Sequence, residues 1–211
     1  MAQSSTIPTS AAKAEGILLC FTAGTMIETP SGERAADRLK VGDLVWTADG
    51  GAQPIRWCHQ RRISRDALRC DESLRPVLIA QDAFGRGLPL RPLRVSPQHR
   101  ICVSGWRAEL FFGAAEVLVA ACQLKNGTTI TQPIPSEDVV YVHFLLEGHQ
   151  IVRSNGLASE SFHPSAEAVS GMDAASRDEV LRLFPDALDA NGLFGQTARL
   201  VVQNEPARLV A

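Results

Sequence analysis

Cys20 is the residue whose placement most invites chemistry. It stands where a polar leader rich in Ser, Thr and Ala (residues 1–15) and a short apolar run, Gly16-Ile17-Leu18-Leu19, meet the strand-like stretch Phe21-Thr22-Ala23-Gly24-Thr25-Met26-Ile27. A thiol at such a boundary reads as an internal nucleophile whose substrate is the peptide bond joining it to Leu19. Downstream, Ser96-Pro97-Gln98-His99 places a hydroxyl and an imidazole around a tight turn. His143 adds a second imidazole inside the run from Val139 to Leu146, the most strand-like stretch of the chain.

The elements that must position these groups are short strands. Asp49-Gly50-Gly51 is a hairpin signal, and beyond it Ile55, Trp57 and Ile63 alternate with Arg56, Gln60 and Arg62, the period of a half-buried strand. Val77-Leu78-Ile79-Ala80, Leu93-Arg94-Val95, Ile101 with Val103, Val117-Leu118-Val119-Ala120 and Ile151-Val152-Arg153 are further strand candidates. Turns are expected at Gly85-Arg86-Gly87, Asn126-Gly127 and Asn155-Gly156. The polar stretch from Ser64 to Ser73 reads as a loop. Ser176-Arg177-Asp178-Glu179 reads as a capping box that opens one short helix, with Pro185 ending it. The expected organisation is a leader over 1–19, an all-β domain over 20–165 and a C-terminal tail with one helix over 166–211.

Composition excludes several function classes. The 211 residues are 45% hydrophobic and 21% charged, enough for a core, and a net charge of −2 leaves no footprint for nucleic acid. Arg61, Arg62 and Arg65 cluster, but neighbouring acids make a solvated surface the simpler account. The five cysteines are odd in number and form no Cys-x-x-Cys pair, which argues against a disulfide framework and a structural metal. Cys58, Cys102 and Cys122 read as small hydrophobes inside strands. No cofactor is expected.

The leader is a poor signal peptide, because a basic start is missing and Lys13 and Glu15 interrupt any apolar run. Lipidation at Cys20 is disfavoured by the large Leu19 before it. No apolar stretch approaches the ~18 residues of a membrane span. The cytoplasm is the default compartment, with leaderless export left open.

Taken in order, four motifs resemble a known family. Cys20-Phe21 with Gly24-Thr25 and Ile27, Leu39 with Gly42-Asp43 and Val45, Ser96 with His99, and a strand ending in Asn155-Gly156-Leu157 are similar to the Hint domain. That is the autoprocessing module shared by inteins and the C-terminal part of hedgehog proteins. The likeness spans roughly residues 20–163 and points to a bacterial Hint-like group outside true inteins. It implies a flattened, horseshoe-like all-β fold with approximate two-fold pseudosymmetry. It also implies an N-to-S acyl shift, in which Cys20 attacks the Leu19 carbonyl and the amide becomes a thioester.

The resemblance assigns roles as well. An ordinary thiol is only a few per cent ionised at neutral pH and an amine leaves poorly, so the step needs proton transfer. His99 matches the residue that protonates the scissile amide. Ser96 stands where the family usually has Thr, and it either meets the scissile carbonyl or serves as a plain turn hydroxyl. His143 is either a second acid/base that polarises Cys20 or a satisfied core histidine. His149 reads as a turn residue. Glu160-Ser161 occupy the positions of the intein His-Asn pair, and neither can cyclise. The expected reaction is therefore cleavage without splicing, with the N-terminal segment as substrate and water or a small external nucleophile as the resolving group. A non-catalytic Hint-like binding or structural module is the competing expectation, and a trans-acting hydrolase using Cys20 and His99 ranks last.

Overall fold

A computed structural model describes residues 19–164, 169, 172–184 and 195–202, so the leader before Leu19 and Pro185 lie outside the described residues. The strands, in chain order, are β1 (Phe21–Thr22), β2 (Met26–Thr29), β3 (Gly32–Ala35), β4 (Leu44–Thr47), β5 (Gly51–Pro54), β6 (Trp57–Ile63), β7 (Val77–Ile79), β8 (Leu93–Val95), β9 (Arg100–Ser104), β10 (Glu116–Ala120), β11 (Ile130–Thr131), β12 (Val139–Leu145), β13 (Ile151–Ser154), β14 (Leu157–Glu160) and β15 (Leu200–Val202). Three α-helices are described: α1 (Arg65–Cys70), α2 (Trp106–Phe112) and α3 (Ala174–Leu183).

The strands form two sheets. One has six strands in the order β11-β7-β8-β1-β12-β6. The other has nine, running β15-β10-β9-β14-β13-β2-β3, with β4 joining at β13 and carrying β5 beside it. The all-β reading holds, and both hairpins stand where turn chemistry puts them. Gly51 begins β5 opposite Thr47. Ser154 pairs with Leu157 across Asn155-Gly156, whose φ angles of 49° and 82° are those of a tight type I′ turn.

Successive side chains of a strand face opposite ways, and this splits the core in two. Phe21, Val142 and Phe144 enter the main cluster with Ile27, Val95, Ile101 and Val152. The alternate residues, Tyr141 and Leu145 on β12 and Trp57 and Ile63 on β6, face the other way and pack with Leu19, Cys20, Leu68, Phe162, Met172 and Val180. This explains why β12 is apolar almost throughout, since both of its faces are covered.

Several local expectations change. The stretch read as a loop from Ser64 to Ser73 contains α1, which Ser64 caps by accepting from the Ala67 amide, followed by a 3₁₀ turn over Glu72–Leu74. A second short helix, α2, follows Gly105. The capping box was placed one turn late: Asp173 is the N-cap of α3 and its side chain accepts from the Ser176 amide. Cys122 lies in a 3₁₀ turn rather than a strand. The segment after residue 166 does more than add a helix, because β15 pairs in parallel with β10 and Val202 reaches the main core.

Candidate functional site

Backbone pairing alone places Cys20. Phe21 pairs with Val142 on one side and Val95 on the other, so β1 is held between β12 and β8 by its first residue. The Ser96 amide donates to the Cys20 carbonyl at 3.0 Å, and the Cys20 amide donates to Ser96 Oγ at 2.9 Å. The nitrogen of the Leu19–Cys20 bond is therefore tied to the serine of the Ser96-Pro97-Gln98-His99 turn. That turn is closed by the His99 amide donating to the Ser96 carbonyl at 3.1 Å.

The thiol meets His143. Cys20 Sγ lies 3.0 Å from Nδ1 and 4.0 Å from Nε2 of its ring. The ring also hydrogen-bonds the Leu19 backbone in a way that raises its basicity, which is the effect of a ring N–H donating to a carbonyl. His143 thus touches the attacking atom and the residue whose carbonyl would be attacked. Cys20 is 3% exposed, His143 1% and Leu19 7%, so the arrangement is sealed from bulk water.

Burial sets the protonation states. It pushes the Cys20 thiol well above its usual range, with the Ser96 hydrogen bond and the Arg61 charge opposing. It drives His143 down to about 3, with His59 adding to the fall and the Leu19 bond resisting it. The resting pair is a neutral thiol and a neutral imidazole.

His99 makes no hydrogen bond to the Leu19–Cys20 amide. Its ring is fully buried, edge-on to Phe21 at 4.4 Å, and neither ring nitrogen has a hydrogen-bond partner. Burial drives it to about 4, against the pull of the Glu160 charge. The structure brings Cys20 into direct contact with Ser96 and His143, while the ring of His99 packs on Phe21, the residue after Cys20.

Sequence reasoning overlooked several neighbours. His59 is the cross-strand partner of His143, and the two rings stack at 5.9 Å; Trp57 stacks on His59 at 5.8 Å. The alternation that revealed Trp57 and Ile63 as inward-facing also marks His59 and Arg61, and that signal was available. Glu179 of α3 accepts from Trp57 Nε1 at 2.9 Å, a contact across 122 residues that no local pattern reveals.

A second buried polar cluster is built around Glu160. Glu160 accepts from the Arg100 amide at 2.8 Å and from Arg100 Nη1 at 2.9 Å. His149 Nε2 lies 3.2 Å from Glu160 Oε2, angled off the ideal hydrogen-bond line, while its Nδ1 accepts from the Ala198 amide at 3.0 Å. His149 is thus a buried member of this cluster rather than a turn residue. Burial pushes the Glu160 carboxyl up, but His149 and Arg100 outweigh it and hold it below the usual range. Asn155 also does more than turn the chain, since its side chain accepts from the Met26 amide and donates to the Pro92 carbonyl. Among the described residues no group of His, Cys, Asp and Glu could hold a metal ion, and no helix is long and apolar enough to cross a membrane.

A two-sheet β-domain with a buried cysteine on its first strand, tied to a Ser-x-x-His turn, defines an intein-like class of domain. The chain belongs to the Hint domain family, whose sequence model matches residues 19–166. A comparison with curated proteins gives no match. Among solved structures the chain is similar to a bacterial intein-like domain from Clostridium thermocellum, with 15% identity, 67% of this chain and 98% of that domain covered, and a TM-score of 0.47. It is also similar to the MchDnaB-1 intein (13% identity, 67% and 98% covered, TM-score 0.42). A third likeness is to the gp41-1 intein (11% identity, 66% and 96% covered, TM-score 0.40).

Proposed function

We propose that this domain cleaves its own chain once, between Leu19 and Cys20, and does not splice. The observation that carries the reading is the set of contacts on one peptide bond: Cys20 Sγ at 3.0 Å from His143 Nδ1, and the Cys20 amide on Ser96 Oγ at 2.9 Å. His143 takes the thiol proton as sulfur attacks the Leu19 carbonyl. The proton passes to the Cys20 nitrogen, the C–N bond breaks, and a C–S bond remains as the thioester. Ser96 fixes the amide so that its nitrogen departs along one direction. Water or an external thiol or amine then takes the acyl group, releasing the leader from a free Cys20 thiol.

Splicing needs a side-chain amide that can cyclise at the C-terminal junction. Glu160 is held in an ion pair with Arg100, and Ser161 Oγ accepts from the Gln150 amide. Neither residue has the chemistry for that step.

The non-catalytic alternative draws on the depth of burial, which disfavours both a thiolate and an imidazolium. One experiment separates the two. Purified full-length protein is incubated with and without hydroxylamine or a strong thiol, beside Cys20→Ala, and its intact mass is followed. Loss of residues 1–19 in the parent alone is the expected result. A full-length mass persisting for days under every condition overturns the cleavage reading and leaves the binding module.

A further inference from the structure

The family match ends at residue 166, yet the wall that closes the thiol pocket comes from beyond it. Met172, 5% exposed, and Val180, fully buried, pack in one cluster with Leu19, Cys20, Trp57, Tyr141 and Phe162, and Phe184 packs at its edge. Two polar contacts pin the helix. Trp57 Nε1 donates to Glu179 Oε2 at 2.9 Å, and Ser176 Oγ lies 3.5 Å from His59 Nδ1. Both partners belong to the stack of rings leading to His143, so α3 packs on the same cluster that buries the thiol.

The hold is light. Of the ten residues of α3 only Ser176 and Val180 are buried; Arg177 and Leu181 are half-buried and the other six are exposed. An element docked through so few side chains opens at far lower cost than the sheets beneath it. Meanwhile the thioester proposed above cannot be resolved while Cys20 is 3% exposed, because no nucleophile reaches the sulfur.

We propose that α3, with Met172 and Phe184 flanking it, is a lid on the thiol pocket, and that its displacement admits the nucleophile that resolves the thioester. The proposal rests on the cleavage reading for its purpose, though not for its test. The apolar cluster around Cys20 beneath the lid includes Trp57, Tyr141 and Phe162. It favours a small or apolar nucleophile over a highly charged one, since a charged group would be desolvated among aromatic rings. Opening also returns water to Cys20 and His143, which relaxes the burial that keeps both neutral.

The test measures thiol access in the full chain and needs no cleavage. Iodoacetamide labelling is followed residue by residue with mass spectrometry, with exposed Cys70 as the fast reference and buried Cys102 as the monitor of global opening. In the parent, Cys20 is expected to react at least 100-fold more slowly than Cys70. Val180→Asp is expected to speed Cys20 labelling 10-fold or more while Cys102 stays slow, and the milder Glu179→Ala about 3-fold. Cys20 labelling that is fast in the parent, or unchanged in both variants, overturns the lid. Cys20 and Cys102 rising together, in Glu179→Ala as in Val180→Asp, also overturns it, because α3 would then be part of the global core. Failure of cleavage with selective labelling would sink the function reading and leave the lid standing.

Discussion

The molecule buries two clusters of histidines, and they solve opposite problems. Around Cys20 the polar groups in contact are a thiol, an imidazole, a hydroxyl and a peptide bond, and burial keeps the titratable ones neutral. Around Glu160 a permanent charge is present, held by Arg100 and by His149. A fixed counter-charge lowers the cost of a buried ion but commits the group to that partner. The first cluster has no such commitment and is free to move a proton. The second has its carboxylate tied to Arg100 and the Arg100 amide. Neutral and charged burial are divided between two clusters of the same domain.

That division can be attacked directly. The largest effect is expected from His143→Gln, which keeps a polar side chain of similar bulk among the buried rings and should slow thiol-induced cleavage by about 10²–10⁴-fold, the usual worth of a positioned acid/base, with only a small shift in the urea midpoint. A matching loss of stability would make His143 a core residue and erase the contrast. Next, Glu160→Ala leaves Arg100 without its buried partner and should lower unfolding stability by about 3 kcal/mol in urea titrations. If Glu160→Ala instead abolished cleavage in a fully stable protein, the second cluster would belong to the reaction.

Acid should expose both clusters together. His99 and His163 sit at about 4 and His143 at about 3, below the ordinary histidine value, so the unfolded chain binds more protons as pH falls. Each histidine should therefore remove roughly 1.4 kcal/mol of stability per pH unit between the unfolded value near 6.5 and its folded value. The Glu160 carboxyl is depressed, so its contribution is full above the ordinary carboxylate value and is lost only as pH falls through its folded value. Urea midpoints measured from pH 7.5 to 4.5 should decline steadily, and a flat profile would contradict the neutral buried histidines. The smallest effect belongs to Glu179→Ala, which removes the Trp57–Glu179 hydrogen bond from its exposed partner and leaves the buried indole in place. It should cost about 1 kcal/mol or less, read as a shift in the same midpoints.

Much of this architecture is legible in the sequence, and the reason is physical. Strand periodicity and the Asn155-Gly156 turn are local signals, so the β class and the hairpins could be read directly. Cys20, Ser96 and His99 are legible too, as a thiol, a hydroxyl and an imidazole at family spacings, and His143 as an imidazole inside the most strand-like stretch. What could not be read is which imidazole meets the thiol. The alternation of β12 sends His143 to the Cys20 face, whereas the ring of His99, on its turn after Ser96, packs against Phe21. His59 became visible only through the register of β6 against β12. The six-residue α1 was missed because it is shorter than the periodicity that would reveal it. The docking of α3 on Trp57 depends on contacts more than a hundred residues apart.

The parallel pairing of β15 with β10 carries one more consequence. Without residues 200–202, β10 would be the outermost strand of its sheet, offering the apolar sequence Val117-Leu118-Val119-Ala120 as an unpaired edge. Such edges recruit other chains and seed aggregates. The closing strand therefore protects solubility, and a chain shortened before Leu200 should self-associate even with its thiol site complete.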